Sequence, residues 1–302
     1  ISGTDTWYWR GTTALGWSSP TVTELPVDFT ASASTITWSY PPVGYDMPTI
    51  STHSQVYNFS IAGLDQSGNQ ETPAAISVTS DLNYPIVTIS TPMATTNGFY
   101  SDVRPVAAFT GNTADSPAAI APPVRIEISK LLPDRSVERK WDGSQWSVLS
   151  STWLAVNAIN PWDINSPASD KNKRYKTELW AKDNAGNQVP AGLVYREFIY
   201  DTNKPSTTIN VPNLAYHNRA QITVLAGTAV DWVNLSTESY SGIAPAGVEI
   251  QIVDVTGGSV KYNGAGVFDT GDNWRPLAIT YYGGSDPYFG VQLSSSASWS
   301  YP

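Results

Sequence analysis

Four aspartates sit where side-chain chemistry is easiest to place in this chain. Asp65 and Asp183 open the turns Asp65-Gln-Ser-Gly-Asn69 and Asp183-Asn-Ala-Gly-Asn187, while Asp81 and Asp201 open the segments Asp81-Leu-Asn-Tyr-Pro85 and Asp201-Thr-Asn-Lys-Pro205. A turn carboxylate surrounded by backbone carbonyls offers the hard oxygen ligands that Ca²⁺ takes. The same side chains also accept hydrogen bonds from N–H groups a few residues ahead and hold a turn without any ion. Turn chemistry is the commoner use, so no cofactor is expected, and calcium at these four aspartates is the alternative; no EF-hand loop is present.

Catalytic arrangements find little support. Histidine occurs only at His53 and His217, both in polar contexts that read as surface. No Gly-x-Ser-x-Gly nucleophile elbow appears, and nothing marks one pair among the 26 acidic residues as the opposed carboxylates of a glycosidase. The expectation is a protein that is not an enzyme. Aromatic rings are the remaining signal. Consecutive residues of a strand point to opposite faces, so Trp7, Tyr8 and Trp9 cannot all be covered by one core, and Trp7 and Trp9 are candidate sugar-stacking rings. The competing use of tryptophan is burial in a core or an interdomain contact. Asn58-Phe-Ser60 and Asn234-Leu-Ser236 match the glycosylation sequon, but Asn58 falls within a predicted strand.

The elements that position these residues are strands. Tyr175, Thr177, Leu179 and Ala181 alternate with Lys176, Glu178, Trp180 and Lys182, the period of a half-buried strand. The Asp183 turn reverses the chain, which returns antiparallel through Leu193 to Tyr200, and Pro205 stops the ladder before the next strand at 207–211. Much of this recurs earlier: YNFSIAGLD at 57–65, the Asp65 turn, Ile76-Ser-Val78, Asp81 and Val87-Thr-Ile89. The turn aspartates are 183 − 65 = 118 residues apart and the joint aspartates 201 − 81 = 120. Further on, Leu225–Asp231 echoes Phe109–Asp115, Val248, Ile250 and Ile252 echo Val124, Ile126 and Ile128, and Lys261-Tyr-Asn-Gly264 echoes Lys140-Trp-Asp-Gly143. Repeats of roughly 120 residues are therefore expected.

Composition agrees with an all-β chain. Charged residues are only 14%, Gly and Pro number 22 each and aromatics reach 12%, which favours strands and turns over helices. A net charge of −9 argues against nucleic acid as partner. There is no cysteine, so no disulfide or thiolate metal site exists, and no apolar run approaches a membrane-spanning length.

The Asp-x-(Ala/Ser)-Gly-Asn turn, the Asp-x-x-x-Pro joint and the Val-x-Ile-x-Ile strand together make the chain resemble the bacterial immunoglobulin-like repeats of very large surface proteins and adhesins. The resemblance covers the middle unit and parts of both neighbours, and it implies tandem immunoglobulin-like β-sandwiches in an extracellular, cell-surface setting. It carries over no active residue. The expected division is 1–84, a unit without its opening strands; 85–204, a complete sandwich; and 205–302, a unit without its closing hairpin. Two origins fit those off-register ends. Either the chain is an excerpt of a longer repeat polypeptide, or incomplete end units complete one another head to tail by strand addition and build a filament. The expected function is structural or adhesive, with copies of the chain, adjacent repeats or surface glycans as partners. The alternative is a carbohydrate-binding region of a secreted polysaccharide-active protein.

Overall fold

The computed structural model describes residues 8–9, 17–18, 25, 27–31, 36–42, 47–63, 65, 67–93, 98–148, 150–213, 216, 223–231, 238–239, 241–244, 247–256, 259–263, 268–271, 274–282 and 296–301. The protein is all-β, with no helix among the described residues. Two compact units divide it, Ile1–Asn83 and Tyr84–Pro302.

Among its described residues the first unit contains three antiparallel pairs. These are β1 (Tyr8–Trp9) with β2 (Trp17–Ser18), β3 (Asp28–Ala31) with β4 (Ile36–Ser39), and β5 (Val56–Ile61) with β6 (Ala74–Thr79). The β5–β6 hairpin carries the Asp65 turn at its tip, as the spacing predicts.

The second unit opens with the sandwich that the sequence marks most strongly. Its strands are β7 (Ile86–Thr91), β8 (Phe99–Tyr100), β9 (Ala108–Ala114), β10 (Ile120–Leu131), β11 (Val137–Trp141), β12 (Trp146–Val148), β13 (Leu154–Ala155), β14 (Trp162–Asn165), β15 (Lys173–Asp183) and β16 (Tyr195–Tyr200). One sheet runs β12-β11-β10-β15-β16-β8, with β13 also on β10, and the other runs β14-β9-β7. All these pairings are antiparallel except β16–β8. Burial along β15 alternates as the sequence requires: Tyr175, Thr177, Leu179 and Ala181 face in, and the residues between them are half-exposed. They meet Val87, Ile89, Phe109 and Trp162 of the opposite sheet in one continuous core with Val124, Ile126, Ile128 and Phe198. Burying each large apolar side chain here contributes about 1.5–3 kcal/mol.

On β10 the alternation fails from Glu127 onward, because the outer face is covered too. Glu127 accepts hydrogen bonds from Lys140 Nζ (2.7 Å), Ser151 Oγ (2.6 Å) and the Thr152 amide (2.9 Å), and Lys130 Nζ reaches Asp170 at 2.6 Å. Buried polar groups with partners read as polar in sequence, so composition alone does not reveal the cover.

Beyond Pro205 the unit continues with β17 (Ser206–Val211), β18 (Leu225–Val230), β19 (Glu249–Ile250), β20 (Val253–Asp254), β21 (Val260–Tyr262), β22 (Phe268–Asp269), β23 (Arg275–Pro276), β24 (Ala278–Tyr282) and β25 (Ser296–Tyr301). A four-stranded sheet runs β17-β18-β25-β24 and covers a smaller cluster of Ala229, Ile243, Val248, Ile250, Leu277 and Trp299. The stretch Val248–Ile252 keeps Val248 and Ile250 buried as its alternation predicts, yet only Glu249–Ile250 is paired, with β23.

One local device is built twice. Trp162 stands opposite Gly111 in the β14–β9 register, and Trp299 stands opposite Gly227 in the β25–β18 register. In each case the neighbouring edge strand slips register beside the glycine, between Ile89 and Thr91 in β7 and between Ile209 and Val211 in β17. The slip aims a carbonyl, of Thr88 or Thr208, at the space a Cβ would need. Trp162 Nε1 donates to the Thr88 carbonyl at 3.2 Å.

Candidate functional site

The turn aspartates act first on their own backbone. Asp183 Oδ1 accepts the amides of Gly186 (2.6 Å) and Asn187 (2.8 Å), and Oδ2 accepts Asn187 Nδ2 at 2.7 Å. Asp65 repeats the pattern with the Ser67 and Asn69 amides, both at 2.8 Å, and Asn69 Nδ2 at 2.7 Å. Glycine is needed one residue before the closing asparagine, since φ is +86° at Gly68 and +102° at Gly186. The two turns differ in setting: Asp65 is exposed, and Asp183 is fully buried. The Asn69 side-chain amide, then the backbone amides, hold the Asp65 carboxyl below its ordinary range.

The joint aspartates are buried as well. In the first unit the Asp81 side chain is shielded from solvent; its Oδ1 accepts the Asn83 amide at 3.1 Å and lies 3.3 Å from His53 Nδ1. His53, which the sequence gives no partner, thus belongs to the joint, and its Nδ1 also accepts the Leu82 amide at 3.3 Å. In the second unit Asp201 Oδ1 accepts the Asn203 amide at 3.0 Å, and Oδ2 accepts the Ser241 amide (2.7 Å) and Oγ (2.8 Å). The loop at Asn172 braces the same place. Asn172 Oδ1 accepts the Thr202 amide at 3.1 Å, and its carbonyl accepts the Ser239 amide at 2.7 Å.

A further aspartate enters here that the sequence did not single out. Asp231 follows the last residue of β18 and is 2% exposed. Its Oδ2 accepts the Gly242 amide at 3.0 Å, next along the chain from the Ser241 amide that holds Asp201. Consecutive backbone amides therefore grip two carboxylates side by side. Asp231 Oδ1 is buried without a hydrogen-bond partner. Burial, and then the Asp201 charge, push the Asp231 carboxyl up to about 6, against the Gly242 amide. Asp115 takes the same place after β9 (231 − 115 = 116). It brings a carboxylate oxygen within 4.8 Å of one of Asp183.

No family model and no curated protein sequence matches this chain.

The residues themselves carry the functional reading, and the aromatic candidates divide accordingly. Trp7, and the side chain of Trp9, lie outside the described residues, as do His217 and Asn234. Asn58 lies in β5, where its Oδ1 accepts Ser77 Oγ across the hairpin at 2.6 Å. Trp162 is fully buried, and Trp141, Trp146 and Tyr175 form a tilted series with ring centroids 5.5 and 5.4 Å apart that leads into the core. Trp38 and Trp274 stay about half exposed, at 55% and 51%. Asp231 and Asp115 were within reach of sequence reasoning, because both close the echoed segments Phe109–Asp115 and Leu225–Asp231. The approach of residues 239–242 to the joint was not.

Proposed function

We propose that this chain is a non-enzymatic, extracellular structural or adhesive repeat protein of a bacterial cell surface, in which β-sandwich units act as spacers along a fibre or stalk. The observation that carries the reading is the doubled device of a glycine covered by tryptophan and by the carbonyl of a slipped edge strand. At Gly111 a Cβ would lie 2.6 Å from Trp162, and at Gly227 2.5 Å from Trp299. A constraint this local recurring at 227 − 111 = 116 residues fits duplication of a unit better than two independent solutions. The joint between the two copies supports a mechanical role, since Asp201 and Asn172 tie residues 201–203 to residues 239–241 through four hydrogen bonds. Partners of such a protein are adjacent units, copies of itself and, for adhesion, surface glycans.

Pulling single molecules of the 302-residue chain tests the spacer role. Repeats of this size release a contour length of ~400 Å each, so discrete force peaks at comparable spacing are the expected record. One smooth extension without peaks overturns it. Antibody labelling of intact producing cells tests the location, and label that binds only after permeabilisation rules out the surface.

A further inference from the structure

We infer that the β5–β6 hairpin of one copy of this chain docks along Val248–Asp254 of a second copy, as β15–β16 docks along β10, so that copies join head to tail. The hairpin is one half of the match. β5–β6 and β15–β16 pair in the same register: Tyr57 faces Val78 as Tyr175 faces Phe198, and Phe59 faces Ile76 as Thr177 faces Arg196. Directly opposed residues share a face, so Tyr57, Phe59, Ile61, Ala74, Ile76 and Val78 form one apolar face. In the sandwich the same face is turned to the core and Phe198 is 1% exposed, whereas Val78 is 40% exposed and Ile76 64%. The second edge of β15 pairs with β10; among the described residues β5 has β6 as its only strand partner. A hairpin with an open edge and an uncovered apolar face is marginal by itself and is ready to add to another sheet.

Val248–Asp254 is the other half. Glu249 and Ile250 pair with β23 as Arg125 and Ile126 pair with β13, and Val253 meets Lys261 as Ser129 meets Lys140. Along its opposite edge β10 carries β15, and no strand among the described residues does so along Val248–Asp254. Tyr216 reports the same gap. It follows Tyr100 by 216 − 100 = 116 residues, the spacing of Gly111 and Gly227. Tyr100 is 6% exposed against the Phe198 ring of β16, with centroids 5.6 Å apart, and Tyr216 is 92% exposed. In the sandwich Ile126 faces Leu179 and Ile128 faces Thr177. The same register sets Ile250 against Ile61 and Ile252 against Phe59, two apolar pairs. The chain enters and leaves the sandwich at opposite ends. Ile86 pairs with Ala114 beside the Asp183 end of β15, and Tyr200 pairs with Lys173 at the other end. The 11 residues of β15 span about 35 Å, so a second copy presents its hairpin without the chain folding back. The inference rests on the proposed reading of a repeat protein whose copies are partners, and it names the surface they use.

Single-cysteine variants of the otherwise cysteine-free 302-residue chain test the register. Phe59→Cys mixed with Ile252→Cys under mild oxidation is expected to give a cross-linked dimer, because directly opposed strand residues lie within disulfide reach. Asn58→Cys, one residue along and on the other face of the strand, should not cross-link to Ile252→Cys. Sedimentation velocity from ~1 to ~100 µM, the span in which micromolar affinity shows, is the second readout. The wild type should grow beyond 32.6 kDa as concentration rises. Ile76→Glu, at a position exposed in the free chain, should keep the wild-type circular dichroism spectrum and stay monomeric. A wild type that stays monomeric throughout, or a folded Ile76→Glu variant that assembles like it, overturns the inference. So does cross-linking as strong with Asn58→Cys as with Phe59→Cys, or a Phe59→Cys/Ile252→Cys double variant that closes within one chain. A monomeric chain that still gives force peaks fails this inference alone, whereas one smooth extension fails the spacer role.

Discussion

Trp162 lies across Gly111 so closely that a Cβ on residue 111 would stand 2.6 Å from the indole and overlap the Thr88 carbonyl oxygen. Real Cβ atoms do not approach a ring and a backbone oxygen together at such range, so strand β7 would have to move away and release the Trp162 Nε1–Thr88 bond. Gly111→Ala is expected to cost about 3 kcal/mol or more in urea unfolding, at the upper end for overpacking, and Gly227→Ala to act the same way against Trp299 and Thr208. Gly63 is the control, since a Cβ there meets only the flexible Glu71 carboxylate, at 3.4 Å. Gly63→Ala should change stability by less than about 1 kcal/mol. Equal costs at all three positions would contradict the steric account.

The Glu127 network gives the fold an acid-sensitive contact. Burial alone would raise this carboxyl, but hydrogen bonds from Lys140, Ser151 and the Thr152 amide, together with the Lys140 charge, outweigh burial and hold it below the ordinary 4.5. A depressed folded value means the unfolded chain binds the proton more readily. The stability from Glu127 is therefore fully present above about pH 4.5 and is lost as pH falls through the folded value. Lys140→Met leaves the carboxylate buried with fewer partners and should cost about 3–5 kcal/mol at pH 7, with a smaller cost at pH 3.5. Urea titrations at both pH values check this, and a cost independent of pH would refute the assigned network.

The two turn aspartates form a matched pair that separates turn chemistry from burial. Both carboxylates accept two backbone amides and one asparagine side chain. Water replaces those bonds at exposed Asp65 and cannot easily do so at buried Asp183. Asp183→Ala should cost about 2–3 kcal/mol, because donors are left unsatisfied inside the protein, and Asp65→Ala should cost less. Chemical denaturation of the two variants settles the order, and a larger loss at Asp65 would reverse the argument.

Local period was legible in the sequence, and tertiary approach was not. Tyr175, Thr177, Leu179 and Ala181 disclosed their buried face because a strand alternates at two regardless of context, and the Asp-x-x-Gly-Asn turns disclosed themselves because positive φ restricts residue type. The all-β class followed from the same signals. Asp231 stayed hidden as a site residue because its partner Asp201 and the amides of Ser241 and Gly242 arrive from three separate stretches of chain. His53 was missed at Asp81 for the same reason. Trp162 and Trp299 are structural counterparts that sit in Trp-Asp-Ile-Asn and Trp-Ser-Tyr-Pro, where only the tryptophan is common. Register against a glycine, rather than flanking sequence, defines that equivalence.

Glu197 tests how much a buried charge depends on each of two arginines. Its carboxylate, 3% exposed, meets Arg174 Nη1 at 2.9 Å and Arg135 Nη2 at 2.5 Å, with side-chain exposures of 6% for Arg174 and 36% for Arg135. The shorter contact is the more exposed, so distance and desolvation favour opposite rankings. Desolvation should win, because water and salt screen the Arg135 pair and substitute for it when it is removed. Arg174→Met is expected to cost about 3–5 kcal/mol, as it leaves a buried carboxylate short of a partner. Arg135→Met should cost about 1 kcal/mol, and that difference should shrink further in 1 M salt. Urea unfolding of both variants at low and high salt decides the matter; a greater loss for Arg135→Met would mean that the 2.5 Å contact, and not the buried one, neutralises Glu197.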